Sequence, residues 1–285
     1  MSVVGDLGAE SGWGRMLTGM VDDAEARHML TASAAHAHCF AELPLAEAYN
    51  LSKNEQIREG MNRNSANSDL TYGDVPFDVI AAALEKICPE AGSTFIDLGS
   101  GVGRGVVAAA LLWPFAQCIG VEILSDLHRA ALGPVQRFRE LKSTFVDHGL
   151  DPARLATGIE VRCSDLFTVD LAQCCRGDGD GDAASAGVMI FVCCVTWPVA
   201  LMARLASKLA QELPDGASVC TVGQRLPHAV DLESIGGKGA VQFEETSRFE
   251  APFEWGAEVV VCARAVRLGT LAARRLKKQG LLQSN

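Results

Sequence analysis

Thr94-Phe-Ile-Asp-Leu-Gly-Ser-Gly-Val-Gly-Arg104 is the stretch on which the reading of this chain turns. Its apolar residues, Phe95 and Ile96, predict a strand over 94–98 with Asp97 near its end. Gly99, Gly101 and Gly103 follow at every second position, and an apolar helix runs on over 104–113. Strand, glycine turn and helix N-terminus together make a nucleotide cradle. Glycines let backbone approach a ligand closely, and unpaired N–H groups at a helix start attract negative charge.

The spacing narrows the ligand. A dinucleotide fingerprint, Gly-x-Gly-x-x-Gly, needs its third glycine where Arg104 stands. Here the pattern is Gly-x-Gly-x-Gly with an acid before it. Such an acid repels a pyrophosphate and suits the cationic amino-acid end of S-adenosyl-L-methionine. Residues 117–123, Gln-Cys-Ile-Gly-Val-Glu-Ile, predict a second strand with Glu122 near its C-terminal end. A carboxylate there can accept hydrogen bonds from both ribose hydroxyls. The turn alone is a weak signal; flanked by Asp97 and Glu122 it is a specific one.

Beyond Gly92 short apolar runs alternate with helical stretches, the mark of a parallel α/β sheet. A long helix is expected from Ser125, its N-cap, to Asp147. The third strand is Gly158–Cys163, leading to Ser164-Asp165-Leu166-Phe167. The fourth, from Val188 to Cys194, is continuously apolar, as a strand covered on both faces should be. A helix from Pro198 to Leu213 and a fifth strand, Ser218–Val222, follow. Val241–Phe249 and Glu258–Val266, joined through Pro252 and Trp255-Gly256, predict an antiparallel pair. The expected fold is α/β: a seven-strand class I methyltransferase (Rossmann-like) sheet, mostly parallel with a C-terminal antiparallel pair. A helical N-terminal extension precedes it.

Composition excludes several classes. The 285 residues are 48% hydrophobic and 21% charged, which describes a globular chain. No apolar run approaches a membrane span, and the early acids of the N-terminus fit no signal or transit peptide. The expected location is nucleus or cytoplasm. The ten cysteines include no Cys-x-x-Cys pair and are read as reduced, mostly buried thiols. His36-Ala-His-Cys39 could suggest a metal site, but ligands at i and i+2 on a helix point apart, so a helix surface is expected and no metal. Arg176-Gly-Asp-Gly-Asp-Gly-Asp-Ala183 lacks the glycine and glutamate of a calcium loop and reads as a solvated acidic loop. The net charge of −10 argues against non-specific coating of nucleic acid. After Glu258, however, only cations follow: Arg264, Arg267, Arg274, Arg275, Lys277 and Lys278. They form either a solvated helix face or a contact for an acidic partner such as a nucleosome, with a weak case for direct nucleic-acid contact.

Phe95 to Arg104, Gly120-Val-Glu-Ile123 and the upstream Leu70-Thr-Tyr-Gly-Asp74 resemble the disruptor-of-telomeric-silencing family, the non-SET histone-lysine methyltransferases. The resemblance covers roughly residues 65–265, and Trp255-Gly256 is similar to a feature of that family's distant relatives. It implies that Tyr72, Gly73 and Asp74 form part of a lid over the cofactor. It implies that Asp97, Gly99 and Gly101 cradle the methionine end, with Glu122 on the ribose, and Ser100 and Gly103 are expected among the cofactor-binding residues. Asp165 and Phe167 would flank the adenine; a carboxylate can accept the adenine amino group and an aromatic can stack on the ring, though a turn residue and a core phenylalanine are the plainer readings. The fourth strand departs from the family, with Cys193 and Cys194 where the family has a pair of asparagines, and Cys193 is expected at the cofactor. Tyr72, Thr196 and Trp197 are the candidates to line the methyl-transfer channel, Trp197 as an apolar wall or a packing residue.

The expected organisation is a helical extension or lid over 1–64, a methyltransferase domain over 65–268 and a basic tail over 269–285. The expected activity is methyl transfer to a protein lysine, histone-like, with a nucleosome among the candidate partners. Two alternatives stay open: another acceptor, whether small molecule or non-histone protein, and a cofactor-binding regulatory protein without catalysis.

Overall fold

The computed structural model describes residues 24–60, 70, 72–174, 187–226 and 241–267. Strand β1 (Thr94–Leu98) lies at the centre of a seven-stranded sheet. The others are β2 (Gln117–Glu122), β3 (Gly158–Cys163), β4 (Val188–Cys193), β5 (Ser218–Val222), β6 (Val241–Phe253) and β7 (Gly256–Arg267). Their order is β3-β2-β1-β4-β5-β7-β6. β1 to β5 pair in parallel, while β7 runs antiparallel to both β5 and β6. This is the class I methyltransferase sheet expected from the sequence.

Side chains of β1 alternate across the sheet and build a core on each face. Phe95 packs with Phe115, Met189 and Phe191 on one side; Ile96 and Leu98 pack with Ile119, Ile190 and Leu205 on the other. Every residue of β1 is buried, and so is β4 except Cys193 at its tip. That explains why both read as unbroken apolar runs.

The helices are α1 (Ala24–Cys39), α2 (Leu45–Arg58), α3 (Phe77–Ile87), α4 (Arg104–Leu112), α5 (Ser125–Asp147), α6 (Pro152–Leu155), α7 (Leu171–Cys174) and α8 (Val199–Glu212). From Gly105 to Leu112, α4 is buried all round, because α1 and α3 cover the face that the sheet leaves free. α2 packs on α5 in the same outer layer. The helical extension is thus an outer layer over the first two βα units. The expected boundary at 64/65, the acidic loop at 176–183 and the tail 269–285 lie outside the described residues, as does the extension before Ala24.

Three local expectations are corrected. Ser125 is not the N-cap of α5 but its first helical residue; Leu124 holds the cap position and offers no side-chain bond. The cap comes from Glu55, a residue of α2. His36 does not lie on a helix surface. It is 8% exposed, sits between the Phe40 and Phe77 rings, and its Nε2 donates to the Arg104 carbonyl at 3.1 Å. The final strand pair is longer than expected, 241–253 against 256–267, because Pro252 is carried inside β6. β6 is an edge strand, where a missing N–H breaks no ladder bond.

Candidate functional site

Strand order reverses between β2 and β4 on either side of β1, and a sheet of this kind opens a crevice outside the C-terminal ends of those strands. A cavity of about 1040 Å³ occupies that place. Gly99, Glu122, Ser164 and Cys193 bring it the ends of β1 to β4, and α2, the Tyr72-Gly73-Asp74 segment, α8 and the β6–β7 turn wall it.

The glycine turn is built as its sequence demands. Gly99, Gly101 and Gly103 have φ of +88°, +53° and +84°, the left-handed region that penalises a side chain. A Cβ on Gly101 would also stand 2.5 Å from Cε2 of Tyr72, so the tyrosine ring lies directly on the turn. Four of the turn's amides are taken within the fold. Gly99 and Ser100 donate to the Val121 carbonyl at 2.8 and 3.0 Å, Gly103 to that of Ser100, and Gly101 to Glu122. That arrangement leaves no phosphate nest at these amides.

Glu122 ends β2 at the base of the cavity. Its Oε2 accepts the Gly101 N–H and its Oε1 the Leu124 N–H, both at 2.8 Å. Burial pushes its carboxyl up, and these backbone donors pull it back. A carboxylate has about four acceptor sites, so Glu122 keeps capacity for a ligand hydroxyl. Asp97 is set apart from the lining, 6% exposed, with room made for its Oδ2 by Gly105. Burial first, and then the charges of Glu122 and Asp74, raise its carboxyl to about 8, so it is neutral at pH 7. Ser100, Gly101 and Gly103 also lie outside the lining.

On one side Tyr72, Gly73 and Asp74 close over the turn. Asp74 lies 3.1 Å from Arg104 Nε, an ion pair without hydrogen-bond alignment, and burial raises its carboxyl to about 6 against that pull. Gly73 lies under Trp255 of the β6–β7 turn: a Cβ there would be 2.9 Å from Cη2 of the indole. Opposite, Asp165 Oδ1 accepts the Phe167 N–H at 2.8 Å, which shapes the turn after β3. The Phe167 ring carries the Arg204 guanidinium 3.7 Å from its centroid, so α8 covers one of its faces.

Only one of the paired cysteines reaches the cavity. Cys193 lines it, its thiol pushed up to about 12 by burial. Cys194 points into the sheet and donates to the Val222 carbonyl at 3.2 Å. Thr196 and Trp197 line the cavity in the loop that follows, and Trp197 also belongs to the core. Gln224 Nε2 fixes that loop, reaching the Cys194 and Trp197 carbonyls at 2.9 and 2.6 Å.

The structure therefore gathers Tyr72, Gly99, Glu122, Asp165, Phe167, Cys193, Thr196 and Trp197 on one cavity. Sequence reasoning missed Tyr49 and Asn50 of α2, Ile123, Arg204, Glu254 and Trp255, which line it too. Trp255-Gly256 is visible as a motif but carries no sign of its approach to residue 73. The α2 residues have no motif at all.

Residues 54–155 match the family described as histone methylation protein DOT1. The H3 lysine-79-specific histone-lysine N-methyltransferase of Drosophila melanogaster is 36% identical over 62 residues, 22% of this chain. The chain spans only 3% of that protein's length. Among solved structures, an RNA methyltransferase from Salinibacter ruber in complex with S-adenosyl-L-homocysteine is similar at TM-score 0.39 and 19% identity, over 68% of this chain and 94% of that one. The rRNA methyltransferase aviRa from Streptomyces viridochromogenes is similar at TM-score 0.44 and 16% identity, over 68% and 86%. The match over 54–155 includes Leu70–Asp74, Phe95–Arg104 and Gly120–Ile123, three of the stretches that carry the likeness to the disruptor-of-telomeric-silencing family in the sequence, and leaves out Trp255-Gly256.

Proposed function

We propose that the chain is an S-adenosyl-L-methionine-dependent methyltransferase whose acceptor is a protein lysine, of a histone, in the nucleus. The observation that carries this reading is the meeting of Gly99, Glu122 and Tyr72 on one cavity at the switch point of the sheet. The DOT1 match over the same residues supports it.

The residues fit that cofactor. Nothing stands within 4 Å of the Cβ position of Gly99, so backbone is open to a ligand there. Glu122 would take the ribose hydroxyls with its remaining lone pairs. Asp165 would take the adenine amino group, with Ile123, an exposed apolar residue of the lining, against the ring. When bound, S-adenosylmethionine supplies an electrophilic methyl group on a sulfonium. What the chain must do is position, exclude water and hold the acceptor neutral.

Tyr72, Thr196, Trp197 and Trp255 also line the cavity and would face the acceptor. The aromatic rings offer a lysine stem an apolar wall, and burial lowers an amine's pKa. Burial and the nearby Asp74 charge hold the Tyr72 hydroxyl well above its ordinary value. It therefore acts as a neutral hydrogen-bonding group, not as a base. Asp74 and Glu254, both on the lining, attract the ammonium from water before it sheds its proton.

Radiolabelled methyl transfer onto nucleosomes, free histones and cell extract tests the acceptor. Label on histone lysine is expected. Label in extract proteins but not in histones gives the reaction to another acceptor, and S-adenosylhomocysteine binding without label on any acceptor leaves a cofactor-binding regulator.

A further inference from the structure

Glu55 is a charged residue buried in the outer helical layer, 5% exposed. Its Oε1 accepts both the N–H and the hydroxyl of Ser125, and its Oε2 accepts the Asp126 N–H, each at 2.8 Å. A residue of α2 thus satisfies the orphan amides of α5 from 70 residues away in sequence. Its negative charge lies at the positive end of the helix dipole.

The capped amides directly continue the turn that holds Glu122. Glu122 Oε1 is fixed by the Leu124 N–H, and Leu124 is followed at once by Ser125 and Asp126. Between Glu122 and Leu124 lies Ile123, 47% exposed and part of the cavity lining. Two carboxylates, Glu122 from within and Glu55 from the layer above, thus hold successive amides of one turn. The same face of α2 is tied down on both sides. Gln56 Nε2 donates to the Leu70 carbonyl at 2.8 Å, just ahead of Tyr72, and Arg58 pairs with Asp126 at 2.9 Å.

We propose that Glu55 is a positioning residue of the ligand cavity, aiming the Glu122 carboxylate by holding the first turn of α5. The outer helical layer is then part of the site's construction and not a separate module. The proposal rests on reading the cavity as the S-adenosylmethionine site. Glu55→Gln keeps size and one acceptor but turns an NH₂ toward a backbone donor, so α5 loses part of its cap. The Leu124 N–H then no longer holds Glu122 in one orientation.

Calorimetry with S-adenosylhomocysteine and its 2′-deoxy analogue separates positioning from simple stability. The parent is expected to prefer the ribose form about tenfold, the worth of a hydrogen bond to a charged acceptor. Failure of the parent to bind either ligand overturns the cofactor reading itself. Given binding, Glu122→Ala should lose the preference. Glu55→Gln should cut it to within about threefold, and adding it to Glu122→Ala should change the preference no further. A Glu55→Gln protein that keeps the tenfold preference, however much affinity or melting temperature it loses, overturns the positioning role. Should that variant fail to fold, the ratio is read from Glu55→Asp, which keeps the charge and shortens the reach. An intermediate preference is expected there, and an unchanged one overturns the proposal.

Discussion

Gly101 meets two constraints at once, one of its own backbone and one from a distant ring. Its φ of +53° alone would make alanine cost about 1 kcal/mol. The methyl would also press on Tyr72 at 2.5 Å, so the ring must leave the turn. Gly101→Ala is therefore expected to lower stability by about 1–3 kcal/mol and S-adenosylhomocysteine affinity by more than about tenfold. Chemical denaturation and calorimetry read the two effects, and an unchanged affinity would place Tyr72 outside the ligand contacts. Asp97 carries a prediction of opposite sign. Its folded carboxyl titrates near 8, well above the unfolded value. The folded state therefore keeps a proton that the unfolded state sheds from about pH 4 upward. Stability contributed here falls as pH rises from about 4 to 8, at up to about 1.4 kcal/mol per unit. Asp97→Asn should flatten that fall and leave the protein more stable than the parent at pH 8. Denaturant midpoints measured across that range decide it; parallel curves for the two proteins would show Asp97 already ionised in the fold. At this scale the sequence is legible where conformation is local. The glycine spacing demands positive φ, and the acids at the strand ends stand out. The neutral state of Asp97 is not legible, because it depends on burial beside Glu122 and Asp74.

The elements divide in the same way. The inner strands and helices follow the sequence nearly to the residue, since an apolar run bounded by turn residues is local information. What joins them does not. The cap of α5 comes from Glu55 and the clamp on the 194–197 loop from Gln224, and no spacing announces either. The cysteine pair after β4 reads in sequence as two substitutions in the site. Strand alternation sends only Cys193 to the cavity, and Cys194 enters the sheet. Helix α1 shows how packing between layers becomes a measurable titration. His28 and His36 donate to carbonyls at both ends of α4, Leu111 and Arg104. Burial lowers both imidazoles, that of His36 to about 4. The unfolded chain takes up protons near pH 6.5 that the fold refuses, so this stability is present above 6.5 and is lost as pH falls toward 4. Asp97 has the opposite slope over the same range, so the loss is read as the difference in urea unfolding between the parent and His36→Gln, about 3 kcal/mol at full shift. The two curves should diverge as pH falls below 6.5, whereas parallel curves would show that His36 contributes nothing to the slope.

At the scale of the whole molecule the strand order decides where chemistry can occur, and the charge distribution decides what can approach it. The sheet is legible as a class, but the position of the edge hairpin over the cavity is not. That position depends on Trp255 packing on Gly73, two residues far apart in the chain that no local pattern links. Charge makes the remaining argument. A chain of net charge −10 is repelled by a nucleosome's DNA, and every residue after Glu258 that carries charge is a cation. If the acceptor is presented on a nucleosome, Arg274, Arg275, Lys277 and Lys278 are the residues able to offset that repulsion. Deleting residues 270–285 is expected to weaken nucleosome binding several-fold at low salt. It should reduce the dependence of log affinity on log salt by up to about 0.9 for each phosphate that is no longer neutralised. Methylation of free histone should stay at the parent's rate, because a free histone carries no DNA phosphates for the tail to neutralise. Titrations at two salt concentrations with parent and truncated protein read this directly. Identical slopes would leave the tail a solvated face, and the protein would then have to reach its acceptor through the histone surface alone.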